Sequence, residues 1–163
     1  MKTLCYNFFW RSRYGVLLVF SLIIGGISGY WLFLKPQIPA CRAVVGMTNQ
    51  REGKTIQRIL LISVAPDGPR RATVLINGSL FDGATRYNVG RTVTLDYRRR
   101  GEDYIFTVVK NSIRQQDSVV RPDLNKHLPM VGQQYHLRIE QIDSSHYMFI
   151  ANYGPLFVCS TRS

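Results

Sequence analysis

The fold is decided by residues 72–97, which read ATVLINGSLFDGATRYNVGRTVTLDY. Apolar and polar residues alternate on both sides of the central pair Asp82-Gly83. The apolar positions are Ala72, Val74, Ile76, Leu80, Tyr87, Val89, Val93, Leu95 and Tyr97. A period of two indicates strands that bury one face, and Asp-Gly between two such segments is a strong hairpin signal. The stretch therefore predicts a β-hairpin.

The same alternation continues on both sides of this hairpin. Further strands are predicted near residues 41–48, 56–64, 104–108, 135–139, 147–151 and 156–160. Turn signals separate them, such as Pro66-Asp67-Gly68, in which each residue type favours a bend for its own reason. Eight antiparallel strands predict an all-β domain, either a barrel or a sandwich. The hairpin-after-hairpin order favours an up-and-down barrel, whose interior holds one small ligand or is filled by side chains.

Residues 112–132 interrupt the pattern. They contain Pro122 and Pro129, several polar side chains and little apolar period. A segment of this length is unusual for a hairpin loop, so we expect it to form a short helix or to cover an open end of the domain.

The N-terminal part of the chain has a different character. Gly15–Leu34 is an uncharged run of 20 residues, preceded by Lys2, Arg11 and Arg13 without any acid. As a helix it would measure about 30 Å, the thickness of a bilayer core, and the basic flank predicts that the N-terminus faces the cytoplasm. The prediction is a cytoplasmic tail (1–14), a transmembrane signal anchor (15–34), a stem (35–40) and a β domain across the membrane (41–163). Cleavage of the run as a signal peptide, with or without lipidation of Cys41, is the alternative.

Two pairs of residues are predicted to join parts of this architecture. Gly25 and Gly29 form a G-x-x-x-G pair within the run, which favours helix packing in lipid, although glycine is common in spanning helices anyway. Cys41 and Cys159 bracket the β domain, and an oxidising compartment favours a disulfide between them. Such a bridge also suits a barrel, because the first and last strands meet where a barrel closes.

The positive charge of the chain would suggest nucleic acid as a partner, but the predicted membrane topology excludes it. The net charge is +11, and the part of the chain from Lys35 onward carries 18 of the 21 basic residues and all ten acidic ones. A basic domain can indicate nucleic acid, but a domain across the membrane from DNA has no access to it. Anionic headgroups, an acidic partner or an anionic small molecule remain as candidates, alongside solvated charge at turns such as Arg98-Arg99-Arg100.

No residue pattern predicts a reaction. The histidines His127, His136 and His146 lack a third ligand at metal-site spacing, and neither a nucleophile elbow nor a phosphate-binding loop occurs. We therefore expect no catalytic residue, no metal and no cofactor. The remaining candidate site is the interior, with Arg58, Arg91, Tyr87, Tyr97 and Phe106 as candidate ligand-binding residues. An inward arginine must be paired, so a ligand's acid group, a local carboxylate or a place near the barrel mouth are all open.

Several landmarks along the chain resemble the FidL-like family of enterobacterial inner-membrane proteins. Besides the short basic tail and single span, they are Cys41-Arg42-Ala43, Gly78, Gly83, Tyr87, the run Arg91–Tyr97, Tyr104, Leu128-Pro129 and Pro155–Cys159. The resemblance implies a bacterial inner-membrane protein with one span and a periplasmic C-terminal domain. It also implies a ToxS-like role, in which the protein accompanies a membrane-spanning transcription regulator resembling ToxR and stabilises its sensor domain.

Two functions follow as expectations. The first is a non-enzymatic accessory protein, anchored in the lipid bilayer, that binds and modulates the sensor domain of such a regulator. The second is a lipocalin-like module that binds an amphipathic anion such as a bile salt, alone or together with the regulator. An envelope assembly factor is a third class, for which the sequence offers no distinct feature.

Overall fold

The computed structural model describes residues 2–31, 38–51 and 54–161, with side chains for 15–31, 38–50 and 55–161. The chain divides into two compact units, Met1–Lys35 and Pro36–Ser163. The predicted stem and the last three residues of the uncharged run lie at 32–40, of which only 38–40 are among the described residues.

The first unit is a helix, α1, over Lys2–Gly29. Its large apolar side chains from Val16 onward are exposed, with Val16 at 65% and Leu22 at 67%. Within the described residues, no helix has the length and hydropathy needed to cross a membrane. Gly25 and Gly29 both lie in α1, and nothing described lies within 4 Å of the Cβ position of either. Their predicted role in helix packing stays a prediction.

The second unit is built on eight antiparallel strands. They are β1 (Cys41–Arg51), β2 (Lys54–Pro66), β3 (Arg71–Asp82), β4 (Thr85–Arg100), β5 (Asp103–Ile113), β6 (Gln134–Gln141), β7 (His146–Ala151) and β8 (Gly154–Ser160). Each strand pairs with the next in sequence, and β8 returns to β1, so the sheet closes into a barrel. The all-β prediction, with eight strands in hairpin order, is confirmed, and the barrel rather than the sandwich is the architecture.

The predicted hairpin forms as the alternation indicated. β3 and β4 pair from Ala72 opposite Leu95 to Asp82 opposite Thr85. Gly83 takes a φ of 62° in the turn, a conformation that costs glycine little. The predicted apolar face supplies the barrel core with Ala72, Val74, Ile76, Leu80, Val89, Val93 and Tyr97.

A second glycine is required by packing. Gly78 in β3 has a φ of 155°, and a Cβ atom there would lie 2.1 Å from the backbone oxygen of Ile59 in β2. Because backbone cannot rotate away as a side chain can, this close approach of β2 and β3 excludes every other residue type at position 78.

The barrel closes between β1 and β8, where Cys41 and Cys159 lie at disulfide distance. We call this short β1–β8 junction the seam. Cys41 and Cys159 lie at opposite ends of the barrel sequence but have Cα atoms 5.6 Å apart, as expected for the predicted bridge. β1 pairs with β2 along its whole length, whereas its described pairing with β8 is limited to Arg42 opposite Ser160. The barrel is therefore least tightly joined between its first and last strands.

The aperiodic segment occupies one end of the barrel. It contains the short helix α2 (Pro122–Asn125), and we call Arg114–Gln133 the plug. Val119, Leu124 and Leu128 of the plug belong to the buried core. The expectation of a short helix is confirmed, and the segment fills part of the interior as well as covering it.

Candidate functional site: the barrel interior

An apolar cavity of about 260 Å³ lies inside the barrel. All eight strands contribute to its wall, and the plug contributes His127, Leu128 and Pro129. The wall arises from the period-two pattern, because every second residue of each strand points inward. Arg58, His127 and Tyr135 are its polar residues among the described ones, so the cavity is an apolar chamber with very few fixed polar groups.

Arg58 is the charged residue of the cavity wall. It lies on the inward face of β2, opposite Met47 of β1 and Leu80 of β3. Its Nη1 donates a hydrogen bond of 3.1 Å to the backbone oxygen of His127, while its Nε is buried without a hydrogen-bond partner among the described residues. Burial lowers the pKa of Arg58, because the surroundings solvate its charge less well than water does.

Arg91 is the second inward arginine, and unlike Arg58 it has a carboxylate partner, while its Nη2 is likewise buried without a hydrogen-bond partner among the described residues. Its side chain is 1% exposed, and its Nε lies 3.0 Å from Oδ2 of Asp117, which is also 1% exposed. Its Nη1 donates a hydrogen bond of 2.7 Å to Oδ1 of Asn125. Of the three open interpretations of an inward arginine, the structure places Arg91 in the one with a local carboxylate.

Asp117 is held by more than one donor. Its two oxygens also accept the backbone N–H groups of Gly90 at 3.1 Å and Val119 at 2.9 Å. Burial by itself raises the pKa of Asp117, but the hydrogen bonds from Arg91, Gly90 and Val119 outweigh it, and the pKa is lowered. The ion pair therefore fastens the plug to β4.

The predicted aromatic residues divide between wall and core. Phe106 lines the cavity, whereas Tyr97 is 1% exposed and packs against Phe106 with ring centroids 5.5 Å apart. Tyr87 is half-buried and packs against the core. Of the five candidate ligand-binding residues, Arg58 and Phe106 therefore line the cavity, while Arg91, Tyr87 and Tyr97 do not.

Two further residues of the wall, Tyr135 and His127, are not among the predicted candidates. Tyr135 lies in a predicted strand, so its inward position was available from the alternation. His127 contributes its backbone oxygen from an aperiodic segment, and no pattern in the sequence indicates such a contact. Burial raises the pKa of Tyr135, so its hydroxyl stays protonated and neutral near neutral pH.

The outer face beside the short seam is also apolar. Val44 of β1 is 74% exposed, and Ile59 and Leu61 of the paired strand β2 and Val158 of β8 are exposed as well. We call these four residues the outer patch. Val44 lies directly opposite Leu61, and Gly46 opposite Ile59, so the patch is continuous across β1 and β2.

The histidines do not assemble a reactive site. His136 is exposed, and Nδ1 of His146 lies 2.8 Å from Oδ2 of Asp143 and 3.3 Å from Oγ of Ser145. A relay uses the two ring nitrogens for different partners, whereas here one nitrogen contacts both, as in a local turn network. Hydrogen bonds from the backbone of Ser145 and the ring of His146 lower the pKa of Asp143 to about 2. The described residues contain no group of three or more metal-ligating side chains.

Comparison with protein-family models and with curated proteins finds no match to this chain. The structural class of the protein is defined by its fold and by the interior of its barrel. It is an antiparallel eight-stranded barrel with a plug at one end and an apolar cavity between the plug, Arg58 and the strands.

Proposed function

We propose that this protein is a non-enzymatic accessory protein that binds and modulates the sensor domain of a membrane-spanning transcription regulator. The observation that carries the proposal is the edge of β1, whose described pairing with β8 is confined to Arg42 and Ser160. Beyond Arg42 no pairing of β1 with β8 is described, so we take this stretch of β1 as the place where a partner strand is added, and the exposed residues of the outer patch lie on β1, β2 and β8. An extended strand of a partner would gain both main-chain hydrogen bonds and apolar contacts there.

The mode of action would be a shift of population. A partner strand that pairs with β1 stabilises the partner's folded or dimeric sensor domain, and the favoured state then presents its DNA-binding form on the other side of the membrane. The net positive charge of the β domain favours a partner surface that is acidic or neutral.

The proposal includes a location in a bacterial inner membrane, with the N-terminus in the cytoplasm and the β domain in the periplasm. The uncharged run Gly15–Leu34 and the exposed apolar side chains of α1 support contact with lipid. The Cys41–Cys159 pair supports an oxidising compartment for the barrel. The layout and landmarks that resemble the FidL-like family support the same assignment.

A photo-crosslinking amino acid at Val44 tests the docking surface in native membranes. We expect it to capture a membrane-spanning regulator, whereas the same group at Lys110, which is exposed on β5, should capture none. Val44→Lys should reduce the captured regulator and the expression of its target genes, because a charged edge disfavours strand addition. Val109→Lys is the matched control, since Val109 is also an exposed strand valine. Equal effects of the two lysine variants would contradict the proposal.

A second function is favoured by the cavity. We propose as the alternative that the barrel is a lipocalin-like module for an amphipathic anion, such as a bile salt, alone or with the regulator. The cavity and its single arginine support this function. Thermal unfolding of the full-length chain with cholate, with and without the partner domain, should show a rise in Tm in at least one condition. No rise in either would contradict binding of this anion.

A further inference from the structure

We infer that the cavity binds a single-chain fatty-acid carboxylate, with its headgroup at Arg58 and its alkyl chain along the wall toward Val64. The inference rests on the second proposed function, that the interior is a ligand site, and it names the ligand class. Charge, shape and polarity of the wall each contribute to it.

Arg58 has a buried hydrogen-bond donor, its Nε, that no described residue accepts. A guanidinium has five N–H donors, and the described partner of Arg58 is one backbone oxygen, that of His127. None of the described ion pairs involves Arg58, and its Nε is buried without an acceptor among the described residues. Because a carboxylate presents two oxygens that match the guanidinium fork, an acid group satisfies this arginine better than a hydroxyl does.

The cavity is long for its volume. The wall extends along β2 from Arg58 to Val64, which corresponds to about 20 Å at a rise of about 3.3 Å per residue. The volume of about 260 Å³ lies below the range of roughly 300 to 1,000 Å³ that drug-sized ligands occupy. A cavity that is long for its volume suits one flexible alkyl chain better than a wide, rigid ring system.

The apolar wall beyond Arg58 favours a fatty acid over a bile salt. Bile salts carry hydroxyl groups on the steroid rings as well as an acid group. Between Arg58 and Val64 the inward residues of β2 are Leu60 and Ile62, and the facing residues of β3 are Val74 and Ile76. A ring hydroxyl placed there would lose its hydrogen bonds to water without replacement, whereas a methylene chain loses none.

The test uses carboxyl-labelled decanoate with the full-length chain in lipid nanodiscs, and empty nanodiscs as the reference. The bound carboxyl signal in NMR should stay ionised to lower pH than that of decanoate in empty nanodiscs, because Arg58 stabilises the anion. Arg58→Met should abolish this difference and weaken decanoate binding by about tenfold or more, while binding of decanol is unchanged. Arg98→Met, at an exposed arginine of β4, should change neither.

A second variant keeps the test valid if Arg58→Met does not fold. Ile62→Phe adds bulk to the middle of the wall and should weaken decanoate and decanol alike, with the carboxyl signal of any bound decanoate still shifted. Equal binding of decanoate by wild type and Arg58→Met would overturn the role of Arg58. Stronger binding of cholate than of decanoate would overturn the single-chain ligand.

The outcomes also distinguish this inference from the function on which it rests. If decanoate and decanol bind in a way that depends on Ile62 but not on Arg58, the interior is a ligand site and the carboxylate assignment is wrong. If decanoate, decanol and cholate all fail to bind, the second proposed function is wrong as well. Neither outcome affects the docking surface at Val44, which crosslinking tests separately.

Discussion

The two inward arginines occupy equivalent positions in the alternation and have very different surroundings. Arg91 on β4 lies at the plugged end, where Asp117 and Asn125 of the plug receive its charge in a site that excludes water. Arg58 on β2 lines the apolar cavity, where the backbone oxygen of His127 in the plug accepts its hydrogen bond and its Nε has no described acceptor. Nη2 of Arg91 is likewise buried without a described acceptor, so the two sites differ in that Arg91 has a carboxylate partner and Arg58 has none among the described residues.

A buried charge indicates a structural or a binding role according to the partners that surround it. A buried ion pair contributes little net stability compared with apolar residues, but breaking it is costly because one charge remains without a partner. The Arg91 site is therefore structural, since every acceptor comes from the plug itself. The Arg58 site has a donor without a described acceptor on the wall of an apolar cavity, which is the arrangement expected of a binding site. The four predictions below test this division.

Asp117→Asn should have the largest effect. It leaves Arg91 buried without a counter-ion and should lower the free energy of unfolding by about 3 to 5 kcal/mol. Urea unfolding of the full-length chain in nanodiscs, followed by near-ultraviolet circular dichroism of the barrel tyrosines, measures it. Asp96→Asn is the control, because Asp96 is paired with Arg71 at 2.8 Å but both side chains are about half exposed. That surface pair should contribute about 0 to 1 kcal/mol. Equal losses for the two variants would remove the special status of the plugged end.

Replacing both partners of the buried pair should cost less than replacing one. Arg91→Met with Asp117→Leu removes both charges, so no isolated ion remains, but the N–H groups of Gly90 and Val119 lose their acceptor. We expect a loss of about 1 to 3 kcal/mol, below that of Asp117→Asn. A double-mutant cycle gives the coupling between the two residues. A double variant that loses the sum of the two single losses would show that they act independently.

Acid should weaken the plugged end in a defined direction. The pKa of Asp117 is lower in the folded chain than its usual value, so its stabilising contribution is present above about pH 4 and is lost as the pH falls through the folded pKa. The free energy of unfolding of the wild type should therefore fall more steeply with acid than that of Asp117→Asn. Asp143, whose pKa is also lowered, is present in both proteins and cancels in this difference. Parallel pH curves would contradict the prediction.

Much of this division between the two halves could not be predicted from the sequence. The period of two is a local property, so it predicted the hairpin of residues 72–97, its turn at Gly83 and the inward positions of Arg58 and Arg91. The partner of Arg91 lies 26 residues further along, in a segment without period. The alternation therefore left a ligand, a carboxylate and a barrel mouth equally open for each arginine. The end of β1 also differs from the prediction. The strand extends to Arg51, beyond the predicted end at residue 48, because the polar residues near Gln50 show no apolar alternation from which a strand could be predicted.

Arg58→Met should have the smallest effect on the free energy of unfolding. The variant is informative because Arg91→Met, at the other inward arginine, should have a much larger effect. The variant loses one hydrogen bond to a backbone oxygen but also removes a charge that burial disfavours, as the lowered pKa of Arg58 indicates. These changes oppose each other, so we expect the free energy of unfolding to change by no more than about 1 kcal/mol. Arg91→Met, measured in the same way, should lose several times as much, because it leaves Asp117 buried without its cation. A large loss on Arg58→Met would make Arg58 a structural residue like Arg91 and would contradict its assignment as the partner of a ligand carboxylate in the cavity.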